Sequence, residues 1–297
     1  MRITCSILCH NYGRFLGQAI ESCLRQKPTG CDVEVLVIDD GSTDETSIVC
    51  KRYLPMIRVI RSENLGFGAS LTRAVTEASG QYICLLDADD YFTTDKLARV
   101  ALAIQRGRLL ITNYSQMVDE RGNILAGRIS CGGNTSSLCV QRNAALSLCP
   151  AESELSFHPL NEAGHGEIVP DALTYYRFHE SSMMRRHRAD DWYGFQARVT
   201  HSLAERLRVL SAAPPFWAEG KLLQAISNGY RSMAYYDEME QSLLAGRWCA
   251  AVSRIPAIFR FALGSKSGIR MWHCKVAARG LFNRPIRLAG ASSLTSS

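Results

Sequence analysis

In the run VEVLVI, Val33 to Ile38, four apolar residues in a row leave no alternate position for water, and the run is too short for an ordinary helix. It reads as a strand buried on both faces, which requires covering layers above and below it. Its neighbours supply those layers. ITCSILC reads as a strand before it, and RFLGQAIESCLRQ as an amphipathic helix with Phe15, Leu16, Ala19, Ile20, Cys23 and Leu24 on one face. Beyond it, GSTDETSIVCKRY reads as a helix opened by Ser42 and Glu45 at capping-box spacing. MIRVI is a strand, FGASLTRAVTEAS a helix, QYICLL a strand, TDKLARVALAIQR a helix and LLITN a strand. Strict alternation of this kind predicts an α/β fold, a mostly parallel sheet with helices on both faces. The alternation stops after Asn113, where QMVDERGNILAG reads as a hairpin turning at Arg121, Gly122 and Asn123. From about Asp190 the pattern is mainly helical, broken at Pro214 and Pro215.

Ligands of such sheets sit beyond the carboxyl ends of the strands. Three strands end in polar signatures: CHN after the first, DDGSTD after the second and DADD after the fourth. Asp87 and Asp89 stand two apart at a strand exit, so an extended backbone aims both carboxylates the same way. Two hard oxygen donors with room for water suit Mg²⁺ or Mn²⁺ held jointly with substrate phosphates, whereas a solvated acidic turn capping the next helix is the plainer alternative. Asp39 and Asp40 can accept from a nucleobase imide or a ribose hydroxyl, or can form an Asx turn.

Composition narrows the class. Of 297 residues 46% are hydrophobic and 21% charged, which suits a folded globular protein, and no apolar run reaches the roughly 18 residues of a membrane span. The first residues, MRITCSILC, lack the features of a secretory signal, so a cytoplasmic location is expected. Eleven cysteines without a C-x-x-C pair read as reduced thiols that behave as small hydrophobes. The net charge of +6 comes from the end of the chain, where residues 241–297 hold nine Lys or Arg and no Asp or Glu. There Trp248, Ile258, Phe259, Trp272 and Phe282 alternate with arginines, as a helix lying on an anionic membrane surface would require; a helical subdomain packed on its own chain is the alternative, and nucleic acid is not an expected partner.

The segments TCSILCHNYGRFLGQAIESCLRQ, VEVLVIDDGSTDET and SENLGFGASLTRAVTEASGQYICLLDADDYFTTDKL resemble, in order and nearly without gaps over residues 1 to 105, the N-terminal half of a family 2 glycosyltransferase with the GT-A fold. The resemblance implies a GT-A, Rossmann-like sheet with a catalytic domain over 1–188, its nucleotide-binding half 1–113 and its acceptor half 114–188, followed by a helical basic region 189–297. It implies an inverting hexosyltransferase-like enzyme using a UDP-, GDP- or dTDP-linked sugar and a saccharide or lipid-linked acceptor, as in bacterial surface polysaccharide synthesis at the inner face of the membrane. Donor-binding positions fall on Leu8, His10, Asn11, Asp40, Asn64, Gly66, Asp87 and Ala88, with His10 standing where the family usually has a tyrosine packed near the base. Asp87 and Asp89 fall on the Asp-x-Asp motif that meets ribose and a Mn²⁺ or Mg²⁺ ion.

Farther on, CGGNTSSLCVQR resembles the glycine loop near the donor sugar, with Gly132 and Gly133 letting backbone come close, and VPDALTYYRFHESSM ends in a Tyr-Arg-x-His pattern that sets His179 near the diphosphate and the metal. In PAESELSFHPLNEAG the family's catalytic Asp aligns with Ser153, so Glu154, or else Glu152, is expected as base. A donor-binding or scaffolding protein without turnover is the rival reading. A nucleotidyltransferase would need a glycine-rich basic loop after the first strand, and CHNYGRFL is not one.

Overall fold

Strand β1 (Arg2–Cys9) pairs in parallel with β2 (Asp32–Asp40) on one side and β4 (Tyr82–Asp87) on the other, and β3 (Arg58–Ser62) extends the parallel set beyond β2. The computed structural model describes residues 1–27, 30–130, 133–180 and 189–265. Side chains along these strands alternate between the faces. Ile3, Cys5, Ile7, Val35, Val37, Cys84 and Leu86 share a core with Leu16, Ala19, Ile20 and Cys23 of α1 (Gly13–Leu24) and with Leu97 and Val100 of α4 (Lys96–Gln105). The intervening Leu36, Ile38, Ile83 and Leu85 are also fully buried, as are Leu71, Ala74 and Val75 of α3 (Phe67–Glu77), which packs on β1 and β2. This is the two-sided burial that VLVI demands. Leu24 departs from the expected helical face and is 36% exposed, because α1 ends there.

Helix α2 (Thr46–Arg52) corrects the capping-box reading. The Ser42 hydroxyl accepts from the Asn11 amide, and Glu45 caps nothing with its side chain. Asp44 takes over: one carboxylate oxygen accepts from Thr46 N and the other from Gly13 N, so one side chain ties the starts of two helices together.

Past β4 the sheet is mixed. Its order is β3-β2-β1-β4-β8-β6-β9-β5, where β5 is Tyr91–Phe92, β6 Leu110–Val118, β8 Leu138–Gln141 and β9 Gly166–Arg177, with β7 (Ile124–Ser130) paired to β6. The strand read at LLITN therefore does not continue the parallel run. Instead β8, from the segment read as the glycine loop, inserts antiparallel between β4 and β6. The β6–β7 hairpin turns as expected, with Asp119 accepting from the amides of Arg121 and Asn123. Cys5, Cys84 and Cys139 are partners in register across β1, β4 and β8, and the described cysteines are free thiols, six of them buried.

The chain divides into two compact units, Met1–Ser182 with Pro215–Trp217, and Met183–Pro214 with Ala218–Ser297. The second is helical as expected: α5 (Ala189–Leu210) and α6 (Gly220–Leu244), then α7 (Trp248–Val252) and α8 (Ile255–Leu263). Tyr236, Met239, Ala251 and Ile258 form a core there, so Ile258 is a packing residue and not a surface anchor. Trp248, Val252, Phe259 and Leu263 are exposed, at 67, 55, 38 and 67%. Trp272, Phe282 and the six basic residues from Lys266 onward lie outside the described residues. No helix among the described residues is long and apolar enough to cross a membrane.

Within this unit burial, reinforced by Glu240 one turn on, pushes the Asp237 carboxyl up to about 8. A raised native value stabilises the fold fully below the ordinary carboxylate range near 4, and that stability is lost as pH rises through about 8. Asp237→Asn is therefore expected to raise the melting temperature at pH 9 by several degrees and to change little at pH 5, a difference that scanning calorimetry measures.

Candidate functional site

The carboxyl ends of β1 and β2 build the first half of the site. His10 follows β1, and its Nδ1 lies 2.7 Å from the Asp40 carbonyl oxygen. Asn11 has φ 58°, the sole positive value among the described non-glycine residues, and this conformation sets its Oδ1 to accept from Thr43 N at 2.8 Å. Its Nδ2 lies 3.1 Å from His10 Nε2, and Nδ2 of Asn64 lies 3.4 Å from the same atom. The Asp40 carboxylate is turned away from this surface: its two oxygens accept from Leu65 N and Gly66 N, each at 2.9 Å, and the residue is buried. Gly41 permits the fit. It has φ +72°, and a Cβ there would stand 2.6 Å from Asn64 N. Leu8 is paired to Asp87 in the sheet, and its carbonyl accepts from Ala88 N, whose own side chain is fully buried.

The second half gathers at the end of β4. Asp90 N donates to Asp87 O at 3.0 Å, so the chain turns at Ala88 and Asp89, contrary to the extended backbone expected from the spacing. The three carboxylates consequently separate in role. Asp90 is buried inward, accepting from Arg177 N at 2.8 Å and from the Ser136 hydroxyl at 2.6 Å. Asp89 Oδ2 is 2.9 Å from Nε2 of His179. Burial, together with Asp89, Asp90 and Glu154, pushes the Asp87 carboxyl well above the ordinary range. Burial and Asp89 do the same to Asp90.

His179 follows β9 and is buried, not exposed, with ring centroids 5.6 Å from Tyr12 and 5.0 Å from Phe15. Arg177, two residues before it at the end of β9, donates Nε to the Asp89 carbonyl and stacks over Phe15. The Tyr-Arg-x-His segment therefore grips the acidic turn twice, once through each basic side chain.

Glu154 opens a 3-10 turn, Glu154–Phe157, whose N-cap is Ser153: the Ser153 hydroxyl accepts from Leu155 N at 3.2 Å. Burial raises the Glu154 carboxyl, and its charge in turn raises Asp87 and Tyr176. Ala151 N donates to Thr72 Oγ1 at 2.8 Å, and a Cβ on Gly68 would meet Glu152 Cα at 3.1 Å, which seats this part of the segment on α3. The structure thus brings Asp87, Asp89, His179 and Glu154 together and sets His10, Asn11 and Asn64 beside the β1 and β2 ends. Gly133 has φ +97° with open space around its Cβ position, and Gly132 lies outside the described residues.

Sequence reasoning missed the supports. Ser136, in the NTSS that follows the glycines, accepts from Asp87 N and donates to Asp90, while its carbonyl accepts from Lys96 Nζ at 2.7 Å. Lys96 is fully buried, also donates to Thr174 Oγ1, lies over the Phe92 ring, and is pushed down to about 8 by burial. Nothing local in TTDKL distinguishes it from a surface lysine.

Among the described residues no group of three or more His, Cys, Asp or Glu is arranged to hold a metal ion by itself. The donors present fit a shared site: Asp89 and Asp87 with His179 are hard or borderline ligands, and like-charge repulsion on Asp87 is what a cation would relieve.

Residues 4–144 match the family model described as Glycosyl transferase family 2. Over 124 residues the chain is 35% identical to an uncharacterised glycosyltransferase of Nostoc sp., covering 40% of this chain and 38% of that protein. It is 28% identical over 192 residues to glycosyltransferase GlyG of Streptococcus pneumoniae, covering 57% and 62%. The chain therefore spans less than two thirds of the length of either relative. Among solved structures, S. aureus TarS 1-349 in complex with UDP-GlcNAc superposes with a TM-score of 0.62 over 94% of this chain and 88% of that one, at 17% identity, a likeness of fold.

Proposed function

We propose that this chain, whose residues 4–144 match the model of glycosyl transferase family 2, moves a sugar from a nucleoside-diphosphate donor to an acceptor hydroxyl with inversion at the anomeric carbon. The observation that carries the reading is the convergence of Asp87, the Asp89–His179 pair and Glu154 at the carboxyl end of β4. Donor and base residues all come from 1–188, which we take as the catalytic domain.

Asp87, Asp89 and His179 would hold Mn²⁺ or Mg²⁺ together with the donor diphosphate, and the ion would neutralise charge on the leaving phosphates. The chain's own residues do the rest. His10, Asn11 and Asn64 line the base; the Asn134–Ser136 stretch, fixed through Ser136 to Asp90 and Lys96, steadies the loop beside the sugar. Glu154, its carboxyl raised by burial, accepts the proton of the attacking hydroxyl at its own carboxylate. In-line attack from the face opposite the diphosphate gives inversion. Ser153 does not serve as base, because a neutral hydroxyl has negligible proton affinity beside a carboxylate; its oxygen caps the turn by accepting from Leu155 N. Incubating the full chain with Mn²⁺ and UDP-, GDP- and dTDP-sugars should release nucleoside diphosphate from at least one. Failure of every donor either to react or to raise the melting temperature would refute the reading.

For the acceptor we favour a saccharide or a lipid-linked saccharide met at the cytoplasmic face of a bacterial membrane, in surface polysaccharide synthesis. Exposed Trp248, Val252, Phe259 and Leu263, with Arg247 and Arg260 also exposed on the same short helical stretch, support docking to an anionic bilayer. The full chain should sediment with phosphatidylglycerol vesicles and not with phosphatidylcholine, and Trp248→Ser with Leu263→Ser should weaken this at least ~5-fold. Equal sedimentation with both lipids would remove the membrane from the proposal.

A further inference from the structure

We propose that Lys96 is a positioning residue for the donor site and acts through its charge: its buried ammonium clamps the turn Thr135–Ser137 beside the acidic turn, and the site loosens its hold on the nucleoside diphosphate when that charge is removed. The inference rests on the nucleotide-donor reading above and adds a residue that reaches Asp87 and Asp90 through Ser136.

Lys96 lies on α4 with none of its surface exposed. Its Nζ donates to the Ser136 carbonyl at 2.7 Å and to Thr174 Oγ1 at 3.0 Å, and lies 3.8 Å from the centre of the Phe92 ring. Among the described residues it makes no ion pair, so a carbonyl, a hydroxyl and a ring hold the ammonium. The thiols of Cys5 on β1, Cys23 on α1, Cys84 on β4 and Cys139 on β8 face it from four other elements. A buried charge without a counter-ion is costly, and burial pushes the ammonium down to about 8. The local hydrogen bonds do not require it. Ser136 O also accepts from the Thr174 hydroxyl at 2.9 Å, and Asn113 Nδ2 donates to Thr174 Oγ1 at 3.1 Å, so both groups keep a partner without Lys96.

The acidic turn depends on the charge more closely. The Ser136 hydroxyl accepts from Asp87 N and donates to Asp90, so its placement follows from how firmly the Ser136 carbonyl is held. A charge-assisted hydrogen bond is roughly twice as strong as a neutral one, and the bond from Lys96 is of that kind. A neutral amine keeps two protons and gains a lone pair, to which the Thr174 hydroxyl can donate instead of to Ser136 O. Loss of the proton therefore weakens both bonds that fix the carbonyl.

Stability and binding respond with opposite signs. A native value below the ordinary lysine value of about 10.5 removes stability as pH falls from there through about 8, whereas the clamp is complete only below about 8. The carboxylates of the acidic turn titrate the other way, gaining affinity for a cation as their protons leave. Among the thiols, burial pushes Cys139 up, and the Cys23 thiol together with burial pushes Cys5 up. The Cys139 thiol pulls Cys84 down, which makes Cys84 the group to control for.

Calorimetric titration of the full chain in Mg²⁺ with UDP, GDP and dTDP at pH 7 and pH 9 tests this. The nucleotide bound most tightly at pH 7 should bind at least ~5-fold more weakly at pH 9, where about a tenth of Lys96 retains its proton. Lys96→Met should already bind it at least ~5-fold more weakly at pH 7 and lose nothing further by pH 9, while melting no lower than the wild type at pH 7. Cys84→Ala should keep the alkaline loss. Equal wild-type affinity at the two pH values overturns the inference without recourse to any variant. A Lys96→Met that binds like the wild type, or that unfolds or melts well below it, overturns it too, the latter by making Lys96 an ordinary support of the core. Disappearance of the alkaline loss in Cys84→Ala would assign the titration to the thiol and overturn it as well. A wild type that binds none of the three at pH 7 refutes the donor reading itself, and this inference with it.

Discussion

Glu154→Gln lowers turnover by at least ~10²-fold while donor affinity stays at the wild-type level, because glutamine keeps the shape of the side chain and cannot accept a proton. The same carboxyl predicts the pH profile. Burial raises it above the ordinary carboxylate value, and a base must be deprotonated, so turnover climbs with pH through that raised value and the acid limb lies higher than a solvated glutamate would place it. In the variant the residual activity loses this limb. Glu152→Gln is expected to remain within a few-fold of wild type, since the Glu152 backbone is seated on α3. A dead Glu152→Gln beside a normal Glu154→Gln would exchange their roles. Wild-type rates in both would favour a donor-binding protein without turnover.

Asp89→Asn abolishes the Mn²⁺-dependent part of nucleoside-diphosphate binding and leaves the fold intact. The carboxylate is the group that pairs with His179, and an amide oxygen can still accept from that ring while carrying no charge for a cation. Asp87→Asn acts in the same direction and more weakly, since it also relieves the repulsion among Asp87, Asp89, Asp90 and Glu154. Calorimetry with and without Mn²⁺ separates the two effects, and melting curves report the fold independently of activity. Unchanged Mn²⁺ dependence in Asp89→Asn would remove the metal from the site. Asp90→Asn is a different experiment: Asp90 holds Ser136 and the Arg177 amide, so its loss should appear first as lowered stability.

The alternation of elements over the first hundred residues, the two-faced burial of VLVI, the hairpin at Gly122 and the helical character after Asp190 were all legible in the sequence, because each depends on neighbours within a few positions. So were the candidate positions in dense local motifs, Asp87, Asp89 and His179, which the fold brings close together. What only the tertiary structure decided was how those positions are used. The bonds that assign roles join residues far apart in the chain: Asp89 to His179 over 90 positions, Ser136 to Asp90 over 46, Lys96 to Ser136 over 40. No periodicity reports such distances. The insertion of β8 beside β4 carries Ser136 to the acidic turn, and the Lys96 ammonium is held by the Ser136 carbonyl that this insertion delivers. Asp40 shows the same limit at short range, since the sequence marks a carboxylate at a strand end but not that two backbone amides from the loop at Leu65 and Gly66 will claim both of its oxygens.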